Sequence, residues 1–415
     1  MSKKHKAVSS GARRRLVLLT ALAAFALSLL PMSGSAAAVP AATQSWPEHL
    51  ARPASASCPD GETLITPTSG WTDGLGVSHV TYKAAPGFVS TIPPEGLTAD
   101  KVTSALLTDV GMSAPTAGSS AYKRRVGQVL ALARDQRAPQ FCRSAPDPAT
   151  AMLDVKGTSD SPVLGAVASG NWSGYAKTQA QRGTPITDVY GAWTIPRHTQ
   201  GGTPSMEGTW VGIGDAPGEA NPGLIQTGTA METNEGYRSF IEFVGGSACT
   251  NSFCGHWSSI NAVSPGDSVT GEVQWIGTTS ACFYFEDLSR SSGAWNTCGP
   301  VATSYGIPHD TSAAEWINEW PTPHVPSSGG FYYDNPHTVY WSAVLAGQYG
   351  SALTSPFSNT WTAYVLLKPG GNQSQPDTCA SGQWISIPID AATNSSGIGT
   401  SQTITCYISG YVSGP

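Results

Sequence analysis

The sequence predicts an all-β protein, an antiparallel two-sheet β-sandwich, preceded by a smaller, partly helical segment. Three observations carry this reading. From about residue 169, short stretches alternate apolar and polar residues between clusters of Gly, Pro, Asn and Ser, which is the period of half-buried strands. Val, Thr, Tyr and Trp dominate these stretches, as pleated surfaces favour. The 415 residues include 46 Gly and 31 Pro, which disfavours long helices. Many short strands in one large region argue for a sandwich. The 13 Trp, 14 Tyr and 10 Phe need a core to bury them, which argues against disorder.

The elements follow in chain order. Lys3, Lys4, Lys6, Arg13, Arg14 and Arg15 precede an apolar run from Leu16 to Leu30, then Pro31 and the small residues Gly34 to Ala38. A basic start, an apolar centre and a small-residue end read as a secretory signal peptide over 1–38. The run is shorter than the ~20 residues a membrane-spanning helix needs. A secreted, extracellular protein is therefore expected, with no membrane contact once the signal is removed.

Residues 39–95 are rich in Pro, Ala, Ser and Gly and read as largely irregular. Two helices are expected next. Thr98 stands as a cap before Val102, Leu106, Leu107 and Val110. Ala121 to Gln136 places Val126, Val129, Leu130 and Ala133 on one face and Lys123, Arg124, Arg125, Arg134 and Arg137 elsewhere. That basic stripe reads either as a solvated face or as a surface that docks on acidic groups. Residues 144–168 read as a linker. Three regions result: 1–38, 39–165 and a sandwich domain over 166–415. Strands are expected at Asp188–Ile195, Ser268–Ile276, His337–Val344 and Thr360–Leu367.

Charge divides the chain. Residues 1–160 hold 16 Lys and Arg against 11 Asp and Glu, whereas 161–415 hold 6 against 17. The overall charge of −6 argues against a nucleic-acid partner. So few basic groups in the second region leave few ion pairs for acid to break, and acid tolerance is expected. The eight cysteines in an exported chain suggest disulfides. Pairing near neighbours gives Cys58–Cys142, Cys249–Cys254, Cys282–Cys298 and Cys379–Cys406, with other connectivities equally compatible with the sequence. Cys249, Cys254 and His256 match no zinc spacing, so no metal site is expected.

No nucleotide-binding glycine loop, HExxH helix or GxSxG elbow occurs. No Asp-Thr-Gly or Asp-Ser-Gly occurs either. Three segments stand out instead: Trp210-Val-Gly-Ile-Gly-Asp215, Gly223-Leu-Ile-Gln-Thr-Gly228 and Ala313-Ala-Glu-Trp-Ile-Asn-Glu-Trp320. In the last, strand alternation puts Glu315, Ile317 and Glu319 on one face and Trp316 and Trp320 on the other.

From about Gly170 onward the chain resembles the glutamic peptidases, the eqolisin family. The resemblance rests on Asn171-Trp-Ser-Gly174, Gly191-Ala-Trp-Thr-Ile-Pro196, Trp210-Val-Gly-Ile213, Leu224-Ile-Gln-Thr-Gly228, Ser264-Pro-Gly-Asp267 and Ala314-Glu-Trp-Ile317, in family order. It implies a concanavalin A-like, jelly-roll type sandwich and a precursor in which 39–165 is a pro-segment. It also implies a catalytic Gln226 and Glu315, which taken alone read as ordinary strand residues. An ionised Glu315 would take a proton from an attacking water and later pass it to the leaving amine. The amide of Gln226 would stabilise the oxyanion. Glu319, on the same face, is passed over because Glu315 alone sits between Ala314 and Trp316-Ile317.

Trp210, Asp215 and Glu242 are carried over as substrate-binding residues. Two departures bear on them: Gly214-Asp215 stands where the family has Asp-Gly, and Phe240 and Phe243 stand where Trp or Tyr is expected. The expected protein is thus an acid-acting endopeptidase, monomeric and free of metal and cofactor. Its partners would be polypeptide substrates and its own pro-segment. Two rivals are a glycoside hydrolase using Glu315 with Glu319 or Glu242, and a peptide- or glycan-binding module.

Overall fold

The computed structural model describes residues 57–59, 61–143, 166–169, 172–196, 206–215, 223–232, 236–245, 253–319, 340–354, 362–366, 387–389 and 402–404. The expected signal peptide lies outside these residues. Among them, no helix is long and apolar enough to cross a membrane.

Among the described residues, the strands form two ten-stranded sheets. In spatial order the first runs β1 (Thr63–Ile65), β5 (Phe141–Arg143), β12 (Phe253–Ala262), β11 (Gly236–Gly245), β10 (Gly223–Glu232), β9 (Met206–Gly214), β16 (Ala313–Glu319), β7 (Trp172–Thr178), β18 (Thr362–Leu366) and β6 (Ala166–Ser169). The second runs β2 (Pro67–Thr72), β3 (Ser78–Tyr82), β4 (Ala85–Ile92), β15 (Trp295–Gly299), β14 (Ser280–Asp287), β13 (Ser268–Ile276), β8 (Asp188–Thr194), β17 (Tyr340–Gly347), β19 (Ile387–Ile389) and β20 (Gln402–Ile404). Neighbours pair antiparallel, except β6 with β18 and β17 with β19.

Alternation explains why the sheets stack. Val211 and Ile213 of β9, Ile225 of β10 and Trp316 of β16 turn inward. They meet Trp193 of β8, Val273 of β13 and Phe283 of β14 in one apolar core. The intervening residues of each strand form the outer faces. The all-β sandwich is therefore as expected, and the strand at Ser268–Ile276 has the expected bounds.

The N-terminal segment departs from expectation. Residues 39–95 read as irregular, yet β1 to β4 lie between Thr63 and Ile92. Their Pro and Gly content is overridden by partners across the sheets: β4 meets β15 at Val89↔Cys298, and β5 lies between β1 and β12. Phe88 and Phe141 join the central core, with Phe88 4.5 Å from the Trp257 ring. Strands from both sides of residue 165 thus share both sheets. Residues 166–168, the end of the expected linker, belong to β6.

The helices also shift. Thr98 makes no side-chain cap, and Ala99–Lys101 is a single 3₁₀ turn. The cap is Thr103, which accepts from Leu106 N at the start of α1 (Ser104–Asp109). Helix α2 (Ser120–Asp135) is capped by Ser119 and ends at Gln136 in the left-handed region. Two short helices, α3 (Gln179–Arg182) and α4 (Val301–Tyr305), complete the set among the described residues.

The basic stripe of α2 is not simply solvated. Arg125 is buried on the outer face of the second sheet, 2.6 Å from Asp188 Oδ2 and paired with Glu272. Gln128 Nε2 donates to Glu272 Oε2 at 2.6 Å. Burial pushes the Asp188 carboxyl well above its ordinary value. Burial also raises Glu272, but the charges of Arg125 and Arg124 outweigh it and hold that carboxyl below the usual range. Disulfides join Cys58 to Cys142 and Cys282 to Cys298, two of the expected pairs. The other two pairs involve side chains outside those described.

Candidate active site

The outer face of the first sheet brings the expected residues together. Gln226 of β10 pairs with Gly212 of β9, and Glu315 of β16 pairs with the same Gly212 from the other side. Directly opposed residues on neighbouring strands project to one face. Gln226 and Glu315 therefore flank a position that carries no side chain. Two strand spacings separate their backbones, about 10 Å. Both residues are fully buried.

Glycine is required at that position. A Cβ on Gly212 would lie 2.9 Å from the Trp210 ring and 3.0 Å from Leu224 Cδ1. Trp210 and Leu224, with Ile317, Phe240 and Val244, form an apolar cluster around the polar pair. Such surroundings strengthen any electrostatic interaction made within them.

The row extends beyond the pair. Glu242 of β11 is opposite Gln226, and His256 of β12 is opposite Glu242. Gln226 Nε2 donates to Glu242 Oε2 at 2.6 Å. Gln226 Oε1 is buried with no hydrogen-bond partner among the described residues. Glu242 thus touches the Gln226 amide directly. His256 Nδ1 lies 3.6 Å from the same Glu242 oxygen. The sequence reading weighed His256 only as a metal ligand. The signal that finds it is strand alternation, once Gln226, Glu242 and His256 are placed on three successive strands.

Trp210 is fully buried, and its Nε1 donates to Glu319 Oε2 at 2.8 Å. Glu319, the other glutamate on this strand face, is therefore engaged in holding an indole.

Asp215 follows β9 in a left-handed conformation, φ 48°. Its backbone N–H donates to Asp310 Oδ2 at 3.0 Å, and Gly223 N donates to the same oxygen at 3.2 Å. Gly214 before it has φ 118°, and any Cβ there would collide with the Gly223 carbonyl. The order Gly-Asp thus fits the turn, because glycine takes the more demanding conformation and aspartate tolerates the left-handed one. Asp215 lies beyond the Gln226–Gly212–Glu315 row, since Gly214 pairs with Leu224, two residues before Gln226.

The row from His256 to Glu315 sets an imidazole, two carboxylates and an amide on one face of the sheet. Residues 170–330 match the Peptidase A4 family. The A4 segment contains every strand from β7 to β16, and so both Gln226 and Glu315. The chain is similar to the solved structure of scytalido-glutamic peptidase with a peptide-based transition-state analogue, at 16% identity and TM-score 0.33, over 48% of this chain and 88% of that one. It is also similar to SCP-B, a member of the eqolisin family of peptidases, in complex with the tripeptide Ala-Ile-His. There the identity is 16% and the TM-score 0.33, over 48% of this chain and 90% of that one. No curated protein matches the chain.

Proposed function

We propose that the protein is a secreted, acid-acting glutamic endopeptidase whose Gln226 and Glu315 activate a water molecule. The observation that carries this reading is their shared pairing with Gly212, which sets an amide and a carboxylate on either side of one glycine. The match of residues 170–330 to a peptidase family supports a polypeptide substrate.

In this mechanism Glu315 accepts a proton as the water attacks the peptide carbonyl. Gln226 Oε1 accepts the water's other hydrogen. The second hydrogen on Gln226 Nε2, beyond the one given to Glu242, donates to the oxyanion. Glu315 then protonates the leaving amine. An amide partner does not ionise, so Glu315 meets no like charge from it. The reference pKa of Glu, about 4.3, sets such a base to work in acid. Trp210 forms an apolar wall, and the mechanism uses no metal.

The signal peptide would direct export. Residues 39–165 would serve as a folding-assisting pro-segment, because their strands complete both sheets. Helix α2 contacts the outer face of the second sheet, so its docking leaves the Gln226–Glu315 face untouched.

The test is peptide release from denatured casein by the secreted protein between about pH 2 and 7, a range bracketing the Glu reference value, with a chelator present. Internal cleavage in acid that survives the chelator is expected. A folded, matured protein that cleaves nothing overturns the reading.

A further inference from the structure

The hydrogen bond from Gln226 to Glu242 raises a question of orientation. A carboxylate only accepts hydrogen bonds. While Glu242 is ionised, the amide atom 2.6 Å from it must be Nε2, and Oε1 is turned away from Glu242. A protonated Glu242 can donate instead. The amide is then free to turn over and present Oε1 to Glu242. The proposed reaction uses Oε1 on the water, so it needs the first orientation. It also runs in acid, where a carboxylate needs a positive neighbour to stay an acceptor.

His256 answers this conflict. Its Nδ1 lies 3.6 Å from Glu242 Oε2, the oxygen that Gln226 also contacts. The ring is held from two other sides. Nε2 is 3.0 Å from Ser258 Oγ, and the ring stacks on Phe240 with centroids 4.9 Å apart. His256, Ser258 and Phe240 are all buried. An imidazole is cationic in acid, which is when Glu242 most needs a positive neighbour.

Other charges on this face are fewer and farther. Among the described side chains they are Arg238 on β11 itself, Glu315 and Glu319 on β16, and Glu62 just before β1, whose carboxylate lies beside Cys142 of β5. Arg238 is four residues along the strand from Glu242, about 13 Å. Glu315 and Glu319 are anionic and lie beyond β10 and β9. Strand β10 faces Glu242 with the neutral Gln226, and β12 faces it with His256.

We infer that His256 is a positioning residue: it keeps Glu242 a carboxylate, and Glu242 fixes which end of the Gln226 amide faces Glu315. The inference rests on the peptidase reading for its consequence, but its physical core does not. The Phe240 ring stacks on the imidazole, and Ser258 Oγ meets its Nε2.

The test is titration of the Glu242 side-chain carboxyl by carbon-13 NMR, in the full chain and in His256→Asn, with Glu242→Gln identifying the resonance. The Glu242 midpoint should rise by about one pH unit or more in His256→Asn. The acid limb of kcat should move up with it while KM changes little, a split that mere loss of packing would not give. An unmoved midpoint overturns the inference whatever the activity. A midpoint that moves in a protein without peptidase activity supports the His256–Glu242 coupling and overturns the peptidase reading. Should His256→Asn fail to fold, the nitrogen-15 shifts of His256 in the wild type decide the matter. An imidazolium throughout the Glu242 titration supports the inference, and a neutral ring there overturns it.

Discussion

Trp210 Nε1 donates to Glu319 Oε2 at 2.8 Å, and that bond separates two glutamates that strand alternation leaves equivalent. Glu315 and Glu319 share one face of β16, and both are buried. Glu315 pairs with Gly212, next to Gln226, whereas Glu319 pairs with Gly208 and holds an indole from the neighbouring strand. The indole in turn lies over Gly212 and takes the space a side chain there would need. Glu319 thus serves the architecture of the sheet, and Glu315 stands beside Gly212 and Gln226.

Trp210→Phe should therefore destabilise the fold even though the aromatic volume is largely kept. The buried Glu319 carboxylate loses this donor, at a cost of about 1–3 kcal/mol. Urea denaturation measures it. A midpoint equal to the wild type would show that the bond contributes nothing.

Gly212→Ala should damage the site more than the fold. The added methyl group meets the Trp210 ring and Leu224 near 3 Å, and the Ile225 carbonyl oxygen at 3.3 Å. Overpacking of this kind costs about 1–3 kcal/mol. A displacement of Gln226 or Glu315 by about 1 Å costs about 100-fold in rate. Thermal melts and peptide-release rates on the same samples separate the two effects. Wild-type rates in a folded Gly212→Ala variant would show that the glycine between Gln226 and Glu315 is not needed.

Arg125→Met should weaken the whole protein, since it breaks a pair buried between α2 and the second sheet. Asp188 and Glu272 would both lose the guanidinium. Removing one partner of a buried pair costs about 3–5 kcal/mol. Lys123, exposed on the same helix, serves as the control: Lys123→Met should stay within about 0.5 kcal/mol of the wild type. Equal unfolding midpoints for the two variants would show that α2 does not stabilise the sandwich.

Stability should rise on acidification from neutral pH to about 5. Burial pushes Asp109 up to about 6, helped by its hydrogen bond with Asp73. Burial likewise pushes Asp287 up to about 6, helped by the nearby charge of Asp267. A carboxyl with a raised folded-state pKa binds its proton more tightly in the folded chain. Its stabilising contribution is fully present below the unfolded value of 3.8 and is lost as pH rises through about 6. Glu272, held low, works the other way: its contribution is present above 4.5 and lost as pH falls through its depressed folded value. Melting temperatures should therefore peak between about pH 4 and 6. A steady fall from pH 7.5 to 5 would contradict this.

Much of this arrangement is legible in the residues before any coordinates. Strand β13 is visible because Val, Thr and Trp alternate with polar residues and no partner is needed to see it. Gln226 and Glu242 lie at equal distances from the turn between β10 and β11, so a hairpin reading alone would pair them. The N-terminal strands are hidden for a physical reason. β1 and β5 have three residues each, too few for a periodic signal, and they exist because β12 offers an edge. Arg125 is hidden for another. A basic stripe on a helix ordinarily faces water, and only Asp188 and Glu272 on a different element reverse that expectation. His256 is hidden because its meaning comes from Glu242, one strand away, and not from its sequence neighbours.

The most direct test of the account is the rate of peptide release by Glu315→Gln at about pH 4, close to the Glu reference pKa, with its melting temperature measured alongside. The substitution keeps shape and removes only the ability to take a proton. The expected result is a loss of about 10²–10⁴-fold in kcat/KM, with the melting temperature within a few degrees of the wild type. A folded Glu315→Gln that releases peptide at the wild-type rate would contradict the account.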